Sequence, residues 1–148
     1  MGRRLRKAEW IAVAVVLAVI LTIVFWPTPV DRPYDSGLAS VLAALHRAGV
    51  PVWVDYSFIQ NGANVVMFMP LGALIASVSM RPLWWISGVL GLTLSLCIEF
   101  TQYELLPQRF ASAGDLAANT AGALLGGAIV FILRTRRDRR RSAEERHG

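Results

Sequence analysis

Four long apolar runs divide the chain, and each is long enough to cross a lipid bilayer as a helix. A helical span needs about 20 mostly apolar residues, within a range of about 17–25. The runs cover residues 10–26, 63–80, 83–100 and 116–133. The pattern therefore predicts an all-α integral membrane protein with four transmembrane helices.

The first run follows several basic residues, as the apolar part of a signal peptide does. A signal peptide has a shorter apolar region that ends at a small-residue cleavage site. Here the run is longer and ends at Trp26 and Pro27. These features favour a helix that is retained in the mature protein.

Basic residues flank the apolar runs on one predicted side of the membrane. Four precede the first run, Arg81 lies between the second and third, and six fall within residues 134–141. Because loops rich in Lys and Arg stay in the cytoplasm, both termini are predicted to be cytoplasmic. The expected organisation is a basic N-terminus at 1–9, a membrane domain at 10–133 and an arginine-rich tail at 134–148.

The segment at residues 27–62 is predicted to lie on the extracytoplasmic side and to contain a helix. Asp35 or Ser36 is a suitable N-cap, and Gly49 ends the pattern. Between them apolar residues recur at helical spacing, which predicts a short extracytoplasmic amphipathic helix: Leu38, Val41, Leu42 and Leu45. Two placements stay open, since its apolar side suits either the outer leaflet or the helix bundle.

Composition agrees with a membrane protein and excludes some classes of partner. The hydrophobic fraction is 55%, above the 45–50% that is usual in soluble domains. The net charge of +5 comes from the two ends of the chain, so no nucleic-acid partner is expected. Anionic lipid is the expected partner of the basic tail. The single cysteine, Cys97, excludes an internal disulfide.

Polar side chains inside the predicted spans are few, and they share one level. Such residues are costly in lipid and usually face the bundle interior. Asn64 begins the second span, Glu99 and Gln102 end the third, and Asp115 and Asn119 begin the fourth. With the predicted topology, all five lie near the extracytoplasmic surface. This level is therefore the candidate functional site.

Structural roles remain open for the same residues. Ser112-Ala-Gly-Asp115 matches a capping box, so Asp115 is a candidate cap of the fourth span. Glu99 is a candidate ion-pair partner of Arg109, which lies in the segment that joins the last two spans. Asn64 and Asn119 are candidates for hydrogen bonds between helices.

Three blocks of this sequence resemble the motifs of the VanZ-like membrane proteins. They are NVVMFMPLG at residues 64–72, EFTQ at 99–102, and PQR with SAGDLAANTAGALLG within 107–126. The resemblance covers nearly half of the chain, and the blocks occur in the family order. The family is named for a protein linked to teicoplanin resistance. The resemblance thus implies a cell-envelope role in the plasma membrane of a bacterium, and it implies no mechanism.

The leading functional hypothesis is a site for the head group of an amphiphile, such as a membrane lipid or a lipid-linked envelope precursor. Arg109 suits a phosphate, while Asn64, Gln102 and Asn119 suit a sugar or pyrophosphate. Glu99 and Asp115 are candidate acid–base residues. Whether the protein is an enzyme stays open at this point.

Three other interpretations are weighed against this hypothesis. Two carboxylates, Glu99 and Asp115, are too few to favour a metal site, and no cofactor is expected. Transport is disfavoured because no ionisable residue continues through the middle of the spans. The main alternative is a non-catalytic scaffold whose polar cluster only fixes helix packing. The sequence does not indicate an oligomeric state.

Overall fold

The computed structural model describes residues 2–25, 36–79, 84–105 and 112–145. Within them the chain forms five helices: α1 Gly2–Val24, α2 Ser36–Arg47, α3 Tyr56–Val78, α4 Trp84–Leu105 and α5 Ala113–Glu144. All except α2 are long and apolar enough to span a membrane. The predicted all-α membrane fold with four spans is therefore confirmed, and a helix occupies the predicted amphipathic segment.

The helices extend beyond the apolar runs that predict them. Helix α3 begins at Tyr56, well before Ala63, because the Asp55 carboxylate caps it by accepting a hydrogen bond of 2.8 Å from the Phe58 N–H. Helix α5 continues past Leu133 through the arginine-rich sequence as far as Glu144. Arginine is a good helix former, so the helix does not end where the apolar run ends.

Helices α3 and α5 form the most extensive contact in the bundle. They run parallel, since Val65 lies against Gly122 and Met69 lies against Gly126. A Cβ atom added at Gly126 would contact the Met69 carbonyl oxygen and lie 2.8 Å from the Ala73 nitrogen. The two backbones therefore touch directly, as small residues permit in membrane helices.

Helix α4 packs antiparallel on α5. Gly91 lies against Ala123, and Ser87 lies against Gly127. The buried Ser87 hydroxyl also donates a hydrogen bond of 3.0 Å to the Gly72 carbonyl of α3. This serine thus joins all three helices near the end of the bundle opposite to Asp115.

Helix α1 completes the bundle through an apolar core. Ile20 packs with Phe68, Leu71 and Ile98 of α3 and α4, and all four are buried. The other side of α1 exposes apolar residues at four-residue spacing, as a helix that faces lipid does: Ile11, Val15, Val19 and Ile23. The carboxyl ends of α1 and α4 and the amino ends of α3 and α5 therefore share one side of the membrane, which we call the α2 side.

On the opposite side, Arg134 ties α5 to the end of α3. Its guanidinium donates hydrogen bonds of 3.0, 2.6 and 3.2 Å to the carbonyls of Ala76, Ser77 and Ser79. These carbonyls lack partners within the helix because it ends there. The first arginine after the apolar run therefore serves as the C-terminal cap of a neighbouring helix.

Candidate functional site

Asp115 is the centre of a polar cluster between α3 and α5. Its Oδ1 accepts a hydrogen bond of 2.7 Å from Asn64 Nδ2. Gln60 Nε2 donates to both carboxylate oxygens, at 3.2 and 3.4 Å. We call these three residues the Asp115 cluster; all are partly buried. The structure thus brings together two predicted site residues, Asn64 and Asp115, and adds Gln60.

The helix geometry explains why both amides reach one carboxylate. Gln60 and Asn64 are four residues apart on α3, so their side chains lie one above the other on the same side of the helix. Asp115 lies in the first turn of α5, and this helix runs parallel to α3. The two amino ends therefore place the three side chains at one level, on the α2 side.

The N-cap of α5 is Ser112. Its hydroxyl accepts a hydrogen bond of 3.2 Å from the Gly114 N–H. This is the first residue of the predicted capping box, and Asp115 stands three positions later, where the capping box places its second residue. Asp115 also accepts hydrogen bonds from Asn64 and Gln60, so its predicted role in capping α5 stays a prediction beside these contacts.

Gly114 allows a further amide to approach this helix end. A Cβ atom at this position would lie 3.2 Å from both Asn61 Oδ1 and Ser112 Oγ. Asn61 thus extends the Asp115 cluster along α3 toward the amino end of α5. Three polar residues of α3, at positions 60, 61 and 64, border this helix end.

One turn below Asp115, a second polar contact joins α5 to α4. Asn119 Nδ2 donates a hydrogen bond of 2.9 Å to Ser95 Oγ, and both residues are buried. The Asn119 Oδ1 is also buried and has no hydrogen-bond partner among the described residues. Turning the amide over would exchange its two ends and leave the nitrogen unpaired instead. The pair therefore keeps one buried hydrogen-bonding atom that no described residue satisfies.

Gln102 takes part in a contact between α4 and α1. Its Nε2 donates a hydrogen bond of 3.0 Å to the Val24 carbonyl at the end of α1, and its side chain is buried. This bond satisfies one of the terminal carbonyls of α1. Gln102 thus lies on the α2 side, at the level of Asp115, as the sequence predicts. Its hydrogen bond is with the end of α1, whereas Asp115 bonds to α3.

Glu99 is partly buried near the same end of α4. It lies one turn before Gln102, as the sequence spacing predicts. Arg109 lies outside the described residues, so its predicted place in the site stays a prediction. Within the ranges that the structure describes, no group of three or more His, Cys, Asp or Glu residues is placed to hold a metal ion.

Two residues of the polar network escape the reasoning from sequence. Gln60 lies outside the apolar run that predicts the second span, although its i, i+4 spacing with Asn64 is a usable signal. Ser95 is one of three hydroxyl residues in the apolar run at 83–100, beside Ser87 and Thr93. Serines of this kind usually bond to the carbonyl four residues earlier in their own helix, so nothing in the sequence singles it out.

Comparison with known proteins supports the resemblance seen in the motifs. The model of the family described as VanZ/LLP1 matches residues 11–134. That range includes nearly all of the four predicted apolar runs and every residue of the Asp115 cluster. Neither the comparison with curated proteins nor that with solved structures gave a match.

Proposed function

Because the chain belongs to the VanZ/LLP1 family, we propose that the Asp115 cluster binds the head group of an amphiphile at the membrane surface. The ligand is a membrane lipid or a lipid-linked precursor of the bacterial cell envelope. In this proposal the protein lies in the plasma membrane with both termini in the cytoplasm, so the α2 side faces outward. The name of the family motivates a relation to glycopeptide-antibiotic response.

The main support for the proposal is that the Asp115 carboxylate, which accepts hydrogen bonds from two amides, is partly exposed on the α2 side. Asp115, Asn64 and Gln60 are all partly accessible. A cluster that only joined helices would be expected to close completely, since unpaired polar atoms are costly in lipid. Partial exposure beside the amino end of α5 leaves donors and acceptors that a head group can reach.

The chemistry of the described residues favours a head group with hydroxyls. A carboxylate accepts hydrogen bonds, and amides both donate and accept them. A glycosyl or glycerol group presents hydroxyls that complement both kinds of atom. An acidic head group would depend further on Arg109, whose guanidinium suits phosphate.

A chemical step on the ligand would fall to Glu99 and Asp115 as acid–base residues. General acid–base catalysis requires such a group within hydrogen-bond reach of the proton that it transfers. His46 does not favour a mechanism in which a histidine activates a serine nucleophile. Its Nε2 lies 3.1 Å from the Val54 carbonyl, which is a backbone atom. The proposal is accordingly one of binding, and it assigns no reaction.

The alternative function is a scaffold in which the Asp115 cluster only fixes helix packing. The same hydrogen bonds support it, since they join α3 to α5. The two functions differ in what they expect of a conservative substitution. Loss of a packing contact lowers the stability of the fold, whereas loss of a ligand contact leaves the fold intact and empties the site.

Native mass spectrometry of protein purified in mild detergent tests this difference. We expect the wild type to retain a lipid or lipid-linked sugar. Asp115→Asn removes the charge and keeps the shape, so it should lower the retained fraction about tenfold, equivalent to about 1.4 kcal/mol. The melting temperature should fall only slightly, because the remaining amide oxygen still accepts from Asn64. Glu104→Gln is the matched control, because Glu104 is an exposed carboxylate near the end of α4.

Two outcomes would contradict ligand binding. One is a wild type that retains no amphiphile even after reconstitution with lipid extract from its membrane. The other is Asp115→Asn protein that melts well below Glu104→Gln while retaining the same ligand. Glu99→Gln and Arg109→Ala, measured in parallel, test the other proposed site residues.

We also propose that the arginine-rich end of α5 binds anionic lipid on the opposite side. Five exposed arginines follow Arg134 on the continuous helix, within about 11 Å of it at 1.5 Å per residue: Arg136, Arg137, Arg139, Arg140 and Arg141. Each basic residue near an anionic surface contributes about 1 kcal/mol. This charge lies at the depth of lipid phosphates.

Nanodiscs with equal amounts of phosphatidylglycerol and phosphatidylcholine test the lipid preference. Wild-type protein released from them should retain mostly phosphatidylglycerol, and a variant with Arg139, Arg140 and Arg141 changed to glutamine should retain less of it. Equal retention of both lipids by the wild type would refute the proposal.

A further inference from the structure

A short connected segment on the α2 side exposes several large apolar side chains. We call them the apolar platform; their exposed fractions range from 39% to 79%: Val41, Leu45, Val52, Trp53 and Phe58. Two lie on α2, two in the connection that follows it, and one in the first turn of α3. Such a concentration of exposed apolar surface marks an interaction site in a protein.

The platform is fixed in place relative to α3. His46 Nε2 lies 3.1 Å from the Val54 carbonyl, which ties the end of α2 to the connection. Gly49 adopts a φ of 95°, a left-handed conformation that suits glycine at the end of a helix. The rings of Trp53 and Phe58 then meet edge to face at 5.1 Å. The apolar residues therefore form part of a folded element.

Helix α2 makes no extensive contact with the other helices of the described chain, and part of its apolar side is uncovered. Leu38 and Leu42 are partly buried, whereas Val41 and Leu45 stay exposed at 54% and 39%. On the opposite side of the helix, the polar residues Ser40 and Arg47 are exposed together with Ala43. Helix α2 thus has an uncovered apolar side and an uncovered polar side, as does a helix that lies in a membrane interface.

The depth of the platform points to lipid as its partner. Helix α3 has 23 residues, so at 1.5 Å per residue it is about 35 Å long, slightly more than the roughly 30 Å of a hydrocarbon core. Its first turn, which carries Phe58, therefore lies at the membrane surface. Tryptophan is enriched at that level, and the Trp53 ring meets the Phe58 ring edge to face there.

We propose that the apolar platform inserts into the leaflet on the α2 side and anchors α2 flat in the interface. Gln60 follows Phe58 by two residues on α3, so the Asp115 cluster lies at the depth of the inserted platform, while the two side chains point to different sides of the helix. A further consequence, which rests on the proposed function, concerns the route of the ligand. The amphiphile reaches the cluster sideways from the same leaflet, with its acyl chains remaining in lipid.

Spin-label accessibility in the full-length protein tests the insertion directly. Cys97→Ser removes the single native thiol, and a nitroxide is then attached at Val41→Cys, with Ala43→Cys on the opposite side of α2 as the matched control. The protein is placed in phosphatidylcholine–phosphatidylglycerol vesicles without added ligand. Collisions with oxygen, which concentrates in lipid, are compared with collisions with a water-soluble nickel chelate.

We expect the label at residue 41 to collide several times more often with oxygen than with the nickel chelate, and the label at residue 43 to show the reverse. A label at Val52→Cys should behave like the one at residue 41. Greater access to nickel at 41 and 52 would overturn the proposal, and so would shielding of both from either reagent, which would indicate cover by protein. Since no ligand is present, such a failure leaves the Asp115 ligand site standing.

Discussion

Gly126→Ala is expected to destabilise the protein by about 2–3 kcal/mol, the upper part of the usual range for inserting one methyl group into a packed core. The new Cβ would contact the Met69 carbonyl oxygen and lie 2.8 Å from the Ala73 nitrogen. Both atoms belong to the backbone of α3, so no side chain can rotate to make room. The two helices must separate, which would also weaken the contacts of Gly122 with α3.

Unfolding by denaturing detergent in mixed micelles measures this loss of free energy. Gly62→Ala is the matched control, because no atom lies within 4 Å of a Cβ at that helical position. Alanine favours a helix over glycine by about 1 kcal/mol, so the control should be neutral or slightly stabilised. Equal effects at the two positions would show that the contact between α3 and α5 is looser than the structure indicates.

Ser95→Ala is expected to destabilise the protein by about 1–3 kcal/mol, the cost of leaving a buried polar group without its partner. Asn119 Nδ2 donates to the serine hydroxyl at 2.9 Å, and Asn119 Oδ1 already lacks a partner among the described residues. Removing the hydroxyl would leave both ends of one buried amide unpaired. The variant should therefore melt at a lower temperature.

A double-mutant cycle separates this polar effect from simple packing. Asn119→Leu combined with Ser95→Ala removes both polar partners and should recover part of the lost stability. Thr93→Ala serves as the control on α4, because the exposed Thr93 hydroxyl donates to the Val89 carbonyl of the same helix. If the double variant loses the sum of the single losses, the two side chains do not interact as described.

The number and type of the helices follow from hydropathy, but their ends do not. A run of apolar residues reports where a helix crosses lipid, while capping and intrinsic propensity decide where it begins and ends. Asp55 starts α3 in a polar stretch, and arginines extend α5 into another. The apolar pattern does not predict Gln60 as a site residue, because Gln60 lies in the part of α3 that precedes the apolar run.

The level of the polar residues was predictable, whereas their pairing was not. Alternating spans place Asn64, Gln102 and Asp115 at one end of the bundle, and sequence spacing shows which residues share a side of each helix. Which helices are neighbours depends on backbone contact, here between glycines of α5 and carbonyls of α3. That contact brings Asp115 to Asn64, while Gln102 meets the end of α1 instead.

The pairing of α3 with α5 also bears on how the protein is made. Asn64 and Gln60 precede their partner Asp115 by 51 and 55 residues along the chain. At about 5–20 residues per second, synthesis of that stretch takes roughly 3–10 s. During this interval the ribosome has delivered the two amides but not the carboxylate that accepts from them. The insertion machinery must therefore shelter the amino end of α3, or leave it in the head-group layer, until the last helix arrives.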